Sequence, residues 1–381
     1  MKYRLTCLTP LLVGDGRKLS PIDYMVWKDQ VNVLDQWRIF RLLAKGPRLD
    51  GYLSQLKRAD KLDFASWGGF AQNFAVRRIP FESPAYSAYW NRASGDSLHI
   101  PTFASGASGP YLPGAAIKGA LRTGMLSANW KGGMLNEVAA RVQGERVPRR
   151  LAEGPEEQAL GSAGTNRMRL VSAADSAPVA NAGFKIYLLR VSTLQARGNS
   201  YALAWKQSPR GAVEGSRPEE STPLFAEMAP PGCAFEGGWQ EKAFFSQLEI
   251  RRVVRWQESF DRARIFEAAN EYAGRLLAVH KQYAAWTGLE LLARQIDELE
   301  KRLAEARQSG QCLVSIGWGG GLLSKSAWLD TNDAVYRQVL ASVSLYGKAL
   351  SSNLPFPKTR RIIFLNNKPA TLPGWALLEL Q

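Results

Sequence analysis

Histidine is nearly absent from this 381-residue chain, which carries only His99 and His280. A zinc site needs Cys and His ligands in close pairs, and the three cysteines (Cys7, Cys233, Cys312) are widely dispersed. No metal site is therefore expected, and no cofactor is implied. The dispersed cysteines also offer no disulfide framework and fit a reduced, cytoplasmic setting. With no GxSxG elbow and so few histidines, a Ser-His-Asp triad lacks its parts. No apolar run approaches the roughly 18 residues of a membrane span. Residues 5–13, interrupted by Thr6, Thr9 and Pro10, do not read as a secretory leader. No block of five or six consecutive basic residues occurs either, which excludes a disordered basic arm.

What the chain does have is positive charge. It holds 49 Lys and Arg against 34 Asp and Glu, a net +15. The surplus is uneven. Residues 1–130 hold 17 basic and 9 acidic side chains, a net +8; residues 131–250 are nearly balanced at +1. Residues 251–310 carry +2 and residues 311–381 carry +4. Folded basic proteins most often meet a polyanion, because each Lys or Arg at a phosphate releases a condensed counterion.

At about 150 residues per domain the length predicts two domains. Strands are predicted at residues 2–8 and 31–34, then an Asp35-capped helix to Ala44 with Trp37, Phe40 and Leu43 near one face. Residues 80–111, rich in Pro, Ser, Gly and aromatics, read as a long hairpin or loop excursion. Pro113-Gly114 opens a helix to about Leu126, followed by a loose segment at 141–166 containing Gly144 and Pro148. Strands are predicted at 168–173, 184–193 and 201–205, with a turn-rich stretch at 209–223. A helical hairpin spans 258–308, where Phe260, Ile265, Tyr272, Leu276 and Tyr283 recur at helical spacing. Its balanced charge favours a packing or docking role. A strand at 312–316, a helix at 332–350 and strands at 360–365 and 375–380 complete the chain. Strands and helices without regular βαβα alternation point to an α+β fold of two ferredoxin-like units.

Two constellations suit anion binding. Gly319 to Ser326 read GxxxxSKS, one residue away from the phosphate-cradling GxxxxGK[ST], with Ser324 in place of a glycine. Only 55 residues follow, too few for a nucleotide-hydrolase core. A tight turn and a phosphate-approaching loop with Lys325 as a point charge remain open. The second constellation is Leu112-Pro113-Gly114-Ala115-Ala116-Ile117-Lys118-Gly119-Ala120-Leu121-Arg122. There a helix N-terminus stands beside Lys118 and Arg122, an i,i+4 pair.

These motifs resemble a family. Thr9-Pro10-Leu11-Leu12-Val13-Gly14-Asp15-Gly16, then Ser20-Pro21-Ile22-Asp23-Tyr24, is similar to the opening of the RAMP subunits of type III CRISPR effector complexes. Residues 112–122 look like their LPGSSIKGALR motif, and Arg169 to Ser176 resemble the segment that follows it. Gly317 to Ser326, Phe356-Pro357-Lys358-Thr359-Arg360-Arg361 and Pro373-Gly374-Trp375 narrow the resemblance. They are similar to the type III-A (Csm) subunit that caps the 3′ end of the CRISPR RNA.

The resemblance implies two RAMP domains, at 1–180 (with the 80–111 excursion) and at 181–381. The second would carry the helical insertion 258–308 and the glycine-rich loop 317–326. It further implies CRISPR RNA, complementary target RNA, a neighbouring backbone RAMP subunit and a small helical subunit as partners, with host nucleases collaborating in RNA maturation. RNA contact is expected at Gly14, Gly114, Ala115, Lys118, Arg122, Arg167, Arg169, Gly319, Gly320, Lys325, Lys358 and Arg360. Ala115-Ala116 stand where the family usually has Ser-Ser, so hydroxyl contacts to phosphate are lost. Asp23 matches the position of a carboxylate that promotes target cleavage in a related subunit. It is the one catalytic candidate, and the alternative reading is a metal-independent endoribonuclease acting on repeat or target RNA.

Overall fold

In a computed structural model, which describes residues 1–58, 61, 71–143, 150, 152–208, 213–256, 261–350 and 354–381, the opening strand is Lys2–Cys7. Its alternation turns Tyr3, Leu5 and Cys7 inward, as period-two pleating requires. This strand is the centre of a five-stranded antiparallel sheet. In spatial order the strands are Cys312–Ser315, Trp375–Leu380, Lys2–Cys7, Ala234–Glu241 and Val171–Ser176. The Gly114–Asn129 helix carries the chain from the opening strand to Val171–Ser176, and Ala234–Glu241 then inserts between the two. The Arg262–Thr287 helix follows, and Trp375–Leu380 closes against the opening strand. That is the split βαβ order of a ferredoxin-like sheet with one extra edge strand. Its strands come from both sides of 180/181.

The second sheet is antiparallel throughout, in the order Glu214–Gly215, Ser200–Lys206, Lys185–Arg197, Thr359–Leu365 and Lys368–Thr371. Leu224–Met228 also pairs with the long Lys185–Arg197 strand. Asn366 and Asn367, both at positive φ, make the tight turn between its last two strands. A small three-stranded sheet, Tyr24–Trp27, Gln30–Leu34 and Ala75–Pro80, flanks the body.

The Arg262–Thr287 helix joins the two sheets. Asp261 caps it by accepting the Arg264 N–H at 3.0 Å, and Gly288 in the left-handed region ends it. Ile265, Ala268 and Ala269 enter the core with Ile117, Leu121 and Phe235, while Tyr272 and Leu276 enter the core with Trp205, Ile362 and Trp375. The Glu290–Gln308 helix packs back through Leu292, Ile296 and Leu299. The packing role expected from the pair's balanced charge is thus met inside the molecule. The start expected at 258, with Phe260, lies outside the described residues, as do Gly144 and Pro148.

Three local expectations are corrected. In the Gln36–Leu43 helix Ile39 and Leu43 face inward, whereas Trp37 is 71% exposed. Residues 80–111 are not an excursion from the core. Tyr86 and Trp90 of the Tyr86–Arg92 helix are buried, with Tyr86 donating to the Phe364 carbonyl (2.7 Å) and Trp90 to the Tyr24 hydroxyl (2.8 Å). Tyr and Trp can be buried there because their polar tips find partners. Within 141–166, residues Glu153–Leu160 form a helix.

The Gly114–Asn129 helix sits unusually close to its neighbours. A Cβ at Gly124 would fall 2.8 Å from the Ala269 Cα, and one at Gly114 would fall 2.2 Å from the Ala173 carbonyl oxygen. A Cβ at Gly119 would meet nothing within 4 Å. Gly114→Ala is therefore expected to destabilise the protein by about 1–3 kcal/mol through overpacking. Gly119→Ala should instead add up to about 1 kcal/mol of helix propensity. Chemical unfolding of the two variants checks the opposite signs.

Candidate nucleic-acid interface

Leu12, Val13 and Gly14 leave the first sheet and run between two neighbours. The Leu12 carbonyl accepts the Trp318 N–H at 2.7 Å, and the Val13 carbonyl accepts the Ala104 N–H at 2.9 Å. Gly317 (φ +85°) makes the first contact possible, because a Cβ there would lie 2.3 Å from the Leu12 oxygen. The Leu12 segment, the glycine-rich loop and the Gly114–Asn129 helix thereby enclose a cleft of about 840 Å³. Ala116, Gly119, Ala120 and Thr123, a single helical stripe, form one wall. Gly319, Gly321 and Lys325 form the facing wall, with Arg17, Lys18 and Arg361 at its margins.

The electrostatics are one-sided. Four cations and no carboxylate line the cleft among the described residues. Asp15 is close by and pairs with Arg17 at 3.3 Å. Lys18 and Lys325 are exposed, and Arg361 is half-buried with its guanidinium 5.1 Å from the Trp318 ring. Small side chains and backbone on the walls leave the opening wide. Such a cleft can hold a phosphodiester chain by charge and by backbone contact, without reading sequence.

The RAMP superfamily model matches residues 4–324. The chain belongs to the RAMP superfamily. Its fold matches a chain of the cryo-EM structure of a Csm–crRNA–target RNA ternary complex of a type III-A CRISPR-Cas system. There the TM-score is 0.69 at 19% identity, over 100% of both chains. It also matches the crystal structure of T. onnurineus Csm5, with TM-score 0.60 and 16% identity over 98% of this chain and 99% of that one. At these identities the likeness is one of fold. No curated protein matches the sequence.

The RAMP motifs divide into those that meet at the cleft and those that do not. Gly14, Gly319 and Lys325 line it. Gly320 packs against Ser324, a residue of the lining, since a Cβ there would lie 2.4 Å from the Ser324 Oγ. The near-match to a phosphate-cradling loop lacks its helix, because only the short Leu323–Lys325 turn follows. Ser326 is held by the Trp328 carbonyl (2.7 Å) and the Tyr336 hydroxyl (3.0 Å).

The helix N-terminus is not an open anion site. Gly114 N–H donates to Asp175 Oδ1 at 2.9 Å, so the chain's own carboxylate occupies it, beside exposed Ala115. Ser176 secures the same junction by accepting the Leu112 N–H at 2.9 Å. Lys118 and Arg122 lie on a different helical stripe from the cleft. Arg122 pairs with Glu156 at 2.6 Å. Burial, with Lys242 close by, pulls the Lys118 pKa below its ordinary value. Arg167 and Arg169 occupy the Arg167–Arg169 turn, away from the cleft, where Arg169 donates to the Gly164 carbonyl and covers the Phe245 ring.

At the C-terminal motif, strand alternation reverses the expected assignment. Lys358 pairs with Glu214 at 3.2 Å. Arg360 is buried, donating to His280 Nδ1 at 3.2 Å and lying 4.5 Å from the Tyr283 ring centre; burial brings its pKa down to about 10. Arg361, next along the same strand, points the other way and reaches the cleft. The period-two pattern of the predicted strand held this signal. Arg17, Lys18 and Trp318 were also missed, although they flank the motif glycines.

Asp23, the catalytic candidate, has both oxygens engaged. Oδ2 accepts the Ser20 N–H and hydroxyl at 2.7 Å each, and Oδ1 accepts from Gln36 at 2.8 Å. It ties a turn to the Gln36–Leu43 helix and lies outside the cleft lining. Asp23→Ala is expected to cost about 1–3 kcal/mol by leaving these donors unpaired, measured by chemical unfolding.

His280 makes a pH prediction. Burial first, and Arg360 second, push its pKa well below the ordinary 6.5. The unfolded imidazole takes up a proton near that value while the folded one does not. The stability it contributes is therefore present above about pH 6.5 and is lost as pH falls. Thermal melting from about pH 7.5 to about 5.5 should show a drop that His280→Gln reduces.

Proposed function

We propose that this chain is an RNA-binding subunit of a type III-A CRISPR ribonucleoprotein and that it holds the 3′ portion of the CRISPR RNA. The observation that carries this reading is the convergence of four separated RAMP-like motifs on one cationic cleft that no carboxylate lines among the described residues. The full-length match to a chain of a Csm–crRNA–target RNA complex supports it. The role is to grip backbone and leave the bases to pair, which suits guides of variable sequence. Complementary target RNA, an adjacent backbone RAMP subunit and a small helical subunit are the proposed partners, in the cytoplasm. Capping the RNA there would leave host nucleases to trim what projects beyond it.

Two measurements test the reading. In single-stranded RNA binding across a salt series, Lys18→Ala and Lys325→Ala should each flatten the log–log salt slope by about one. Arg122→Ala and Lys358→Ala, whose partners are internal carboxylates, should leave the slope unchanged. An unchanged slope for all four would remove the cleft from the RNA path. CRISPR RNA isolated from complexes lacking this chain should carry longer or ragged 3′ ends; unaltered ends would exclude capping and maturation.

A further inference from the structure

Arg361 stands in the wall between two cavities. Beyond it a second one, of about 890 Å³, is lined by Arg92, Asp96, Ser97, His99 and Thr222. Lys18, Pro101, Trp318 and Arg361 line both. The Arg361 Nε is buried with no hydrogen-bond partner among the described residues, and the guanidinium rests against Trp318. The part of this half-buried guanidinium that lines the two cavities is open to a ligand, and a phosphate oxygen is the acceptor that suits it best.

The two cavities differ in chemistry. The first is walled largely by Leu12, Val13, alanines and glycines, with the hydroxyls of Thr102, Thr123, Ser315, Ser324 and Tyr346 among them, and among the described residues its charged groups are all cations. The second presents hydroxyls, an imidazole and one carboxylate, with Arg92, Lys18 and Arg361 keeping it net positive. A mixed set of donors and acceptors beside cations matches a nucleotide, whose base edge carries both and whose phosphate is anionic. The volume is within the roughly 300–1,000 Å³ of small-ligand pockets.

We infer that the bound RNA turns at Arg361, which takes one phosphate, and that the adjoining nucleotide places its base in the second cavity. This rests on the RNA-binding reading above and adds a site to it. Trp318, anchored by its bond to Leu12, is the partition around which the chain bends.

The test uses the full-length chain and single-stranded RNA with one 4-thiouridine moved stepwise along it. On irradiation, one position should crosslink within residues 92–99 and its neighbours within 315–325. Arg361→Gln should weaken binding about tenfold, the loss of one charge-assisted contact, and abolish the second-cavity crosslink while the first persists. Arg92→Ala, an exposed position, should also lose that crosslink and cannot fail through misfolding of the core. Crosslinks confined to 315–325 at every position would overturn the inference and leave the RNA-binding reading intact. Binding without crosslinks in either cavity, or no binding, would overturn both. Protection of Arg92 from phenylglyoxal by polyglutamate and not by RNA would make the cavity a protein-docking site and overturn the inference alone.

Discussion

The cleft depends on one contact, the Trp318 N–H bonded to the Leu12 carbonyl across a position that tolerates no Cβ. Gly317 permits it, and Gly374 repeats the device one strand away, where a Cβ would fall 2.3 Å from the Ile316 oxygen. Through these two approaches the first, second-last and last strands of the central sheet, in chain order, deliver their loops to one place. Without them the Leu12 segment and the glycine-rich loop would stand apart, and the cationic groups would be scattered surface charge. The glycines of this loop therefore act chiefly by letting backbone approach backbone, and the cleft is the consequence.

Charge follows the same logic of position. The protein carries a large surplus of basic residues, yet many near the motifs are already committed. Arg122 is bonded to Glu156, Lys206 and Lys358 to Glu214, and Arg77 to buried Glu227. Arg190 and Arg360 are buried among aromatic rings and carbonyls. Those that face the cleft do so with no carboxylate along its walls among the described residues. A count of Lys and Arg measures the first and second groups together, whereas only the second can release counterions from an RNA.

Much of the fold was legible because it rests on local rules. The opening strand, the Asp35 cap, the helical pair and the final strand follow from alternation, helical spacing and capping chemistry, and the structure has them within a few residues. The inward turn of Tyr86 and Trp90 was not legible, since a Pro- and Ser-rich stretch resembles a loop until its aromatic tips find Phe364 and Tyr24. At the candidate site, Gly14, Gly319 and Lys325 could be picked out from their motifs. Asp175 could not be recognised as the occupant of the Gly114 N-terminus, because the two positions are joined only by the crossover between helix and strand.

By itself the sequence determined the elements, the surplus of positive charge and the identity of the motifs, all of which depend on residues near one another in the chain. Tertiary structure decided which cations are free, which helix face lines the cleft and that Arg361 rather than Arg360 reaches it. Those are outcomes of register and of partners far away in sequence. A one-residue step along a strand exchanges a buried arginine for one at an open wall, and only the packed sheet settles which is which.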